Sequence, residues 1–318
     1  MKKKHLKSIA IALTLSFFTL SLQNITTYAS EKTDNNSINQ LIEKNTKMEN
    51  VSKDTKSSKE SIAISKGNSY VIEVPKNPSL PIKFKAEKKS DNFTINLPKE
   101  VNGSKVYKNK NGNIIYINEN KDNSFGNQLI EENGIKGVRS LITINNSNAP
   151  KTYKYKFNLE NGSKLISDSD YLGEEFSSGE IFVVNKDNII TGIIDKPWAY
   201  DANGKEIDTH YEIENDSLIQ VINFKSTDKF PIVADPSAWQ ITKCAASIVW
   251  LIGSTVFVGA KLLKIKRYIK ALGGVKTAAQ LLMTATTTEE KLKVGGSALV
   301  KLAEEILGIA AVQENCVA

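Results

Sequence analysis

Apolar residues follow two different patterns along this chain of 318 residues, and the change comes near residue 236. Between 67 and 235, they alternate with polar residues in short runs separated by turn sequences such as Asn-Gly, which is typical of antiparallel strands. Between 236 and 318, the chain is rich in Ala, Leu, Ile and Lys and is divided by pairs of glycines. The sequence therefore predicts a multidomain α+β protein, with an antiparallel β-sandwich-like domain followed by a small all-α C-terminal bundle.

The strand and helix predictions can be placed along the chain. The alternating runs predict strands at 70–74, 92–97, 113–117, 141–144, 153–157, 181–184, 189–194 and 218–224. The later segments predict helices at 245–260, 261–272, 275–283, 289–294 and 297–307. Glycine pairs at 273–274 and 295–296 should end two of these helices, and the stretch from Thr286 to Glu289 offers a capping box for the fourth.

The first 29 residues have the features of an export signal. Four lysines precede an apolar run from 8 to 22, and small residues lie at the two positions that signal peptidase reads before a cut after Ala29. A retained membrane anchor is the alternative, but the apolar run is shorter than the roughly 20 residues that span a bilayer. We therefore expect signal peptidase as a partner and a secreted, extracellular protein.

Residues 30–66 should form a flexible polar leader. They are mostly Asn, Lys, Ser, Glu and Thr, so too little apolar surface is available to offset the entropy lost on ordering. A short helix around Ile38 to Lys44 would be the exception.

The two cysteines of the chain, Cys244 and Cys316, lie near the two ends of the helical segment. Because an exported protein can form disulfides, we expect this pair to be bridged, with free thiols or intermolecular pairing as alternatives. A bridge closing a loop of about 70 residues would stabilise the helical segment by roughly 4 kcal/mol on the chain-entropy model.

Ala245 to Ala260 carries no charged residue and includes Trp250 and Phe257. As a helix, this segment would be about 24 Å long, which is somewhat less than the roughly 30 Å hydrocarbon core of a bilayer. It is therefore either a borderline membrane-inserting segment or the buried central helix of the bundle.

The segment from Lys261 to Leu272 has the pattern of a basic amphipathic helix. Its apolar residues fall on one arc of the helix, except for Leu263, and four cationic residues fall on the opposite side. Such a helix suits an anionic membrane surface. A bundle helix with a solvated lysine face is the competing interpretation. The predicted membrane-contact residues are Trp250, Phe257, Lys261, Lys264, Lys266, Arg267 and Lys270.

Prolines at 231 and 236 flank the junction between the two patterns. A residue that precedes proline is kept out of the helical region, so Asp235 should be extended, and we expect it to be accessible. That geometry suits a protease substrate, with Asp235 and Pro236 flanking the cut. An unprocessed linker is the alternative.

Several function classes lack the residues that they need. After removal of the signal, His210 is the only histidine and both cysteines lie in the helical segment. The chain therefore lacks most of the residues needed for a Ser-His-Asp triad, a Cys-His pair or a multi-histidine metal site. We therefore expect no enzyme, no metal and no cofactor. We also expect no nucleic-acid partner, because the lysines of the helical segment accompany an aliphatic face rather than stacking aromatics.

Residues 236–318 carry ten cationic and five acidic side chains and resemble the closticin type of bacteriocin. The resemblance covers nearly all of this segment and rests on ordered single residues as well as on apolar positions. It is carried by Trp239, Lys243-Cys244-Ala245, Ser247-Ile248, Trp250, Ile252-Gly253-Ser254, Gly259-Ala260-Lys261-Leu262, Lys264-Ile265-Lys266, Tyr268-Ile269, Leu272-Gly273-Gly274, Ala285-Thr286-Thr287, Glu289-Glu290-Lys291-Leu292, Gly295-Gly296 and Asn315-Cys316.

What precedes this segment looks like the pro-region of such precursors, with Pro197-Trp198-Ala199, Asp201-Ala202-Asn203-Gly204 and Val233-Ala234-Asp235-Pro236. The resemblance implies a secreted precursor whose C-terminal peptide is released near Asp235-Pro236 by a maturation protease. That peptide would kill related Gram-positive bacteria by permeabilising their anionic membrane. The alternative is an unprocessed secreted or cell-surface binding protein with a permanent helical C-terminal subdomain.

Overall fold

The computed structural model describes residues 38–52, 55–67, 70–86, 89–117, 119, 122–132, 135–160, 162–240, 243–253, 260–306, 309, 312 and 315–316. The chain divides into two units, 1–47 and 48–318. In the first unit, residues 38–46 form helix α1, which agrees with the short helix predicted there. The predicted export signal and its cleavage residue Ala29 lie outside the described residues.

The second unit contains seventeen strands among its described residues. They are β1 (Ser61–Lys66), β2 (Tyr70–Pro75), β3 (Ile82–Ala86), β4 (Phe93–Asn96), β5 (Lys105–Lys108), β6 (Asn113–Ile117), β7 (Asn123–Glu132), β8 (Ile135–Ile144), β9 (Thr152–Leu159), β10 (Lys164–Ser167), β11 (Ile181–Val184), β12 (Ile190–Ile194), β13 (Trp198–Tyr200), β14 (Thr209–Glu214), β15 (Ser217–Ile222), β16 (Ile232–Asp235) and β17 (Ser237–Gln240). Each of the eight runs predicted as a strand overlaps one of them. Strand β1 lies within the predicted flexible leader 30–66, so the leader prediction is wrong for 61–66, where β1 pairs with β2.

The strands form two antiparallel sheets. The seven-stranded sheet has the order β1-β2-β3-β4-β9-β15-β14. The main path of the second sheet is β10-β11-β12-β17-β8-β7-β6-β5, with β13 and β16 paired beside it and β16 also paired to β8. The predicted antiparallel β-sandwich-like architecture is confirmed.

Strand β9 shows why these sequences form a sandwich. Its aromatic residues Tyr153, Tyr155 and Phe157 are buried, while Lys154 and Lys156 between them are exposed. Because successive side chains of a strand point to opposite faces, this alternation places one face in the core and the other in water. The core is the cluster of apolar side chains contributed by both sheets, among them Phe84 and Ile142.

The second unit contains five α-helices among its described residues: α2 (Asp168–Leu172), α3 (Lys243–Gly253), α4 (Ala260–Ala271), α5 (Val275–Thr284) and α6 (Thr288–Ile306). The predicted C-terminal helices are therefore present. The capping box lies one residue later than predicted, at Thr287 and Glu290 instead of Thr286 and Glu289. The Glu290 main-chain N–H donates to the Thr287 hydroxyl, and the Thr287 N–H donates to the Glu290 carboxylate. The break predicted at Gly295-Gly296 is a kink, with Gly296 at φ 60°.

The helices pack on the β part and do not form a core of their own. Their buried side chains share one apolar cluster with residues of α2, β11 and β12, such as Phe182, Ile190 and Ile193. The expected domain boundary at 235/236 lies between β16 and β17, two strands of one sheet. The first strand of the C-terminal segment thus belongs to the β architecture.

Candidate functional site

The junction between the two sequence patterns lies inside the larger sheet. Asp235 is the last residue of β16 and is extended, as predicted, but it is only 1% exposed. The expectation that Asp235 is accessible is therefore wrong. Pro236, which follows Asp235, does favour an extended backbone. However, β16 pairs with β8 on one side and with β13 on the other, and these neighbours remove Asp235 from solvent.

The main-chain carbonyl groups of Asp235, Pro236 and Ser237 all accept hydrogen bonds from neighbouring segments. The N–H of Ser140 donates to the carbonyl oxygen of Pro236 at 2.9 Å, and the N–H of Asp195 donates to that of Ser237 at 2.9 Å. The side-chain amide of Gln220 donates to the carbonyl oxygen of Asp235 at 3.2 Å. The carbonyl of the Asp235–Pro236 peptide bond therefore points at a side-chain donor from the opposite sheet.

The carboxyl group of Asp235 lies in a buried polar cluster. The hydroxyl of Ser237 donates to its Oδ2 at 2.5 Å, and Arg139 Nε lies 3.7 Å from the same atom. Burial raises the pKa of Asp235 to about 7, because the charged form loses its solvation, and Arg139 and Ser237 oppose this shift only in part. Near neutral pH this carboxyl group therefore holds its proton for much of the time.

Strand β17 occupies a central position in the sheet. It pairs with β12 through Gly192, Ile193 and Ile194 and with β8 through Gly137, Val138 and Arg139. A Cβ atom on Gly137 would come within 2.6 Å of the Ala238 carbonyl oxygen and 2.8 Å of the Trp239 ring. Glycine at this position therefore permits the close approach of the two strands.

Asp195, which follows β12, joins β17 to helix α5. The indole Nε1 of Trp239 donates to Asp195 Oδ2 at 2.5 Å, and Lys276 Nζ donates to the same atom at 2.6 Å. Lys276 Nζ also lies 4.1 Å from the centroid of the Trp239 ring, a cation–π distance. One carboxylate thus connects the entry strand of the C-terminal segment to one of its helices.

A second carboxyl group, that of Glu180, lies at the start of α5. The main-chain N–H of Val275 donates to Glu180 Oε2 at 3.1 Å, and the Ser178 hydroxyl donates to it at 3.0 Å. Burial raises the pKa of Glu180 to about 8, and the nearby Asp195 adds to this rise. The β part therefore supplies the cap for a helix of the C-terminal segment.

Three of the five predicted basic membrane-contact residues have partners within the fold. Lys266 Nζ donates to the Leu172 carbonyl oxygen at 2.5 Å, and Lys270 Nζ donates to that of Glu175 at 2.6 Å. Lys264 pairs with Glu305 of α6 at 3.2 Å. Lys261 and Arg267 are exposed, as are Lys264 and Lys270 despite their partners. Ile265 and Ile269 of the same helix are buried, which places its apolar face on the core as the amphipathic pattern predicts.

The uncharged segment is helical from its start to Gly253, within α3. Leu251 and Ile252 are buried in the shared cluster, which fits the prediction of a buried helix in the folded chain. Phe257 and the side chain of Trp250 lie outside the described residues. No helix in the described ranges is long and apolar enough to cross a membrane.

The predicted disulfide is present. Cys244 and Cys316 form a bond with an S–S distance of 2.18 Å and Cα atoms 4.6 Å apart, and 72 positions separate them in sequence. The bond ties the start of α3 to the C-terminal end of the chain, and both cysteines are buried in the cluster beneath the helices.

Several residues at the junction were not identified from the sequence. Gln220 and Arg139 lie in strands, Asp195 follows β12 and Glu180 precedes β11. Their importance comes from contacts with segments distant in sequence, so no local motif identifies them. Within the part of the chain that the structure describes, no group of three or more His, Cys, Asp or Glu side chains could hold a metal ion. Comparison with protein-family models, curated proteins and solved structures finds no match to the chain.

Proposed function

We propose that this chain is the secreted precursor of a closticin-type antibacterial peptide, and that residues 236–318 are its active part. In this proposal the β domain is a pro-domain that keeps the peptide inactive. After release near Asp235-Pro236, the peptide binds anionic lipid through its basic helix, and Ala245 to Ala260 enters the membrane of related Gram-positive bacteria.

The observation that carries the proposal is the way α4 is held in the folded chain. Lys266 and Lys270 donate to main-chain carbonyl oxygens at the end of α2 and in the turn after it, and Lys266 lies over the Phe176 ring at 5.5 Å. The apolar side of α4 is covered as well, through Ile265 and Ile269. Two of the five cations of α4 and the apolar side of the helix are thus engaged in the folded chain, which supports an inhibitory role for the β domain.

Release then requires more than a cut. Strand β17 is hydrogen-bonded on both sides, and α5 is attached through Asp195 and Glu180. A chain cut at 235/236 would therefore stay assembled until β17 leaves the sheet. Because strand separation breaks both ladders at once, we expect release to be slow in buffer and faster in mild denaturant.

The test begins with the products of secretion. The supernatant of expressing cells is fractionated, the masses are measured, and each species is applied to sensitive Gram-positive bacteria with a membrane-potential dye. The proposal expects a species that begins at Pro236, contains one disulfide and depolarises the cells, whereas the full-length chain does not.

Two variants with equal charge loss test the role of the basic helix. Lys264→Gln/Lys266→Gln/Lys270→Gln should reduce dye release from anionic vesicles by roughly 100-fold, since each surface cation contributes about 1 kcal/mol to binding anionic lipid. Lys291→Gln/Lys293→Gln/Lys301→Gln loses the same charge from α6 and should act nearly as the wild type. Equal loss in both variants would contradict a specific role for α4.

The central position of β17 favours a second candidate. In that case the chain is an unprocessed secreted or cell-surface binding protein, and its helices are a permanent subdomain packed on β11 and β12. This candidate predicts that only the full-length mature chain accumulates in the supernatant. It also predicts that the 236–318 fragment, made by cutting the chain at 235/236 and separated from the β domain in denaturant, leaves vesicles intact.

A further inference from the structure

The burial of the Asp235–Pro236 bond bears on how it is cut. A protease binds several residues of its substrate as an isolated extended strand, but here β16 and β17 are paired on both sides. Asp235 is 1% exposed and Ser237 is 5% exposed. Any reaction at this bond in the folded chain therefore depends on groups that are already next to it.

The first such group is Gln220. Its amide donates to the carbonyl oxygen of the bond at 3.2 Å, and its residue is fully buried. A donor fixed on a buried carbonyl oxygen stabilises the negative charge that develops there when a nucleophile adds. This is the arrangement of an oxyanion hole with one side-chain donor.

The second group is the carboxyl of Asp235 itself. Attack by Oδ on its own main-chain carbonyl carbon closes a five-membered ring, and such an intramolecular reaction needs only rotation about side-chain bonds. Ser237 and Arg139 hold this carboxyl group in place, at 2.5 Å and 3.7 Å. The raised pKa of about 7 means that the carboxyl group carries a proton near neutral pH that it can transfer.

The third feature is the leaving group. Pro236 has no main-chain N–H, so its nitrogen makes no ladder hydrogen bond. Once a nucleophile has added to the carbonyl carbon, the nitrogen lone pair is no longer delocalised and can accept a proton. The hydroxyl groups of Tyr155 and Tyr211 are buried without a hydrogen-bond partner among the described residues, and the charge of Asp235 contributes to the raised pKa of both. Asp235–Pro236 is also the only Asp–Pro sequence in the chain.

From this geometry we propose that the folded chain cleaves its own Asp235–Pro236 bond. This inference rests on the proposed release of residues 236–318. Asp235 Oδ adds to the main-chain carbonyl carbon, and the carbonyl oxygen takes up charge against Gln220. The C–N bond then breaks as the carboxyl proton passes to the nitrogen, which leaves a cyclic anhydride at Asp235 and a secondary amine at Pro236. One water opens the anhydride, so the net reaction is hydrolysis of one peptide bond.

The reaction should depend on pH through the proton on Asp235. It should be fast while this carboxyl group is protonated and should slow as the pH rises above about 7. Charged and polar groups from several elements interact electrostatically with the Asp235 carboxyl group. These groups are Arg139 on β8, Asp195 after β12, Ser237 on β17, Lys276 on α5, Tyr155 on β9 and Tyr211 on β14.

The experiment uses the purified full-length mature chain in the presence of protease inhibitors. The chain is incubated at pH 6 and at pH 9, in each case both folded and unfolded in concentrated urea. The fragments are followed by mass spectrometry. We expect one cut, between Asp235 and Pro236, in the folded chain and faster at pH 6. Hydroxylamine should trap the anhydride as a hydroxamate on Asp235. Cutting that is equally fast in urea, or a folded chain that stays intact, would overturn the proposal.

Three variants and one control locate the chemistry. Asp235→Asn and Pro236→Ala should stop the cut, and Gln220→Leu should slow it by roughly 100-fold, the usual effect of removing one oxyanion donor. Gln280→Leu replaces another buried glutamine and should cut at the wild-type rate. Circular dichroism establishes that each variant is folded. Where a variant does not fold, trapping by hydroxylamine in the wild type tests the mechanism instead: a hydroxamate on Asp235 supports the anhydride, and its absence contradicts it.

The outcomes separate this inference from the proposed function. If the chain never cuts itself but a protease-made 236–318 fragment depolarises bacteria, the inference fails and the function stands. If the chain cuts itself and the separated fragment is inert towards bacteria and vesicles, the inference stands and the proposed function fails.

Discussion

The side-chain amide of Gln220 donates a hydrogen bond to the main-chain carbonyl oxygen of Asp235, and the two residues belong to different sheets. Gln220 lies on β15 of the seven-stranded sheet, and Asp235 ends β16 of the larger one. Both residues are buried. This contact places a polar connection between the sheets at the position where the C-terminal segment begins, so that segment is joined to both layers of the sandwich.

Removal of the disulfide should destabilise the helical segment. Cys244→Ser/Cys316→Ser releases a loop of 72 positions, and the free energy of unfolding should fall by about 4 kcal/mol on the chain-entropy model. Urea unfolding followed by circular dichroism measures the change. Dithiothreitol should have a similar effect on the wild type and none on the double variant. A wild type unaffected by the reductant would contradict the prediction.

Lys276→Ala should weaken the attachment of α5 to the sheet. The change removes one of the two hydrogen-bond donors to Asp195, the other being Trp239, and the cation over the Trp239 ring. A carboxylate that remains partly buried thus loses a charge-assisted hydrogen bond. We expect a loss of about 2 kcal/mol in unfolding free energy, since hydrogen bonds to charged groups contribute in this range. Lys261→Ala removes an exposed lysine and should change stability by less than about 0.5 kcal/mol.

The stability of the fold should decrease as the pH rises from about 5 to 8. The pKa of Glu180 is raised to about 8 in the folded chain from an ordinary 4.5, so the folded state binds a proton that the unfolded state releases in this window. The stabilising effect of this proton is complete below the ordinary pKa and is lost as the pH approaches 8. Urea midpoints of the wild type should therefore be lower at pH 8 than at pH 5.

Glu180→Gln isolates the contribution of Glu180 to this pH dependence. Glutamine keeps an oxygen that can accept from the Val275 N–H, but it does not titrate. The difference in urea midpoint between pH 5 and pH 8 should shrink in the variant, with the remaining part due to Asp235. An unchanged difference would show that Glu180 does not cause it.

Gly274→Ala should destabilise the chain more than Gly273→Ala. Both glycines have positive φ, 110° and 89°, so alanine is strained at either position. At Gly274, however, the added Cβ would lie 2.4 Å from Glu180 Oε2, whereas at Gly273 its nearest neighbour is 3.9 Å away. We expect a loss of about 1 kcal/mol at Gly273 and a clearly larger one at Gly274, measured by urea unfolding. Equal losses would argue against the clash with Glu180.

Much of the local structure follows from the residues alone. The alternation in Tyr153–Phe157 predicts β9, because a strand presents successive side chains to opposite faces. The amphipathic spacing of 261–272 predicts α4, and the stretch from Thr286 to Glu289 predicts the start of α6 to within one residue. The two cysteines are a single pair, so the bond between them needed no choice among partners. Each of these features depends on neighbours within a few positions or on composition.

The pairing between segments that are distant in sequence could not be predicted from the residues alone. Pro236 favours an extended Asp235, but whether Asp235 is exposed depends on β8 and β13, which lie far from it in sequence. Likewise, the four residues of β17 give no sign that they fill the gap between β12 and β8. Backbone hydrogen bonds are the same for every residue type, so a sequence pattern that specifies a strand does not name its partners. Only the packing of both sheets and the helices together decided where the C-terminal segment begins within the fold.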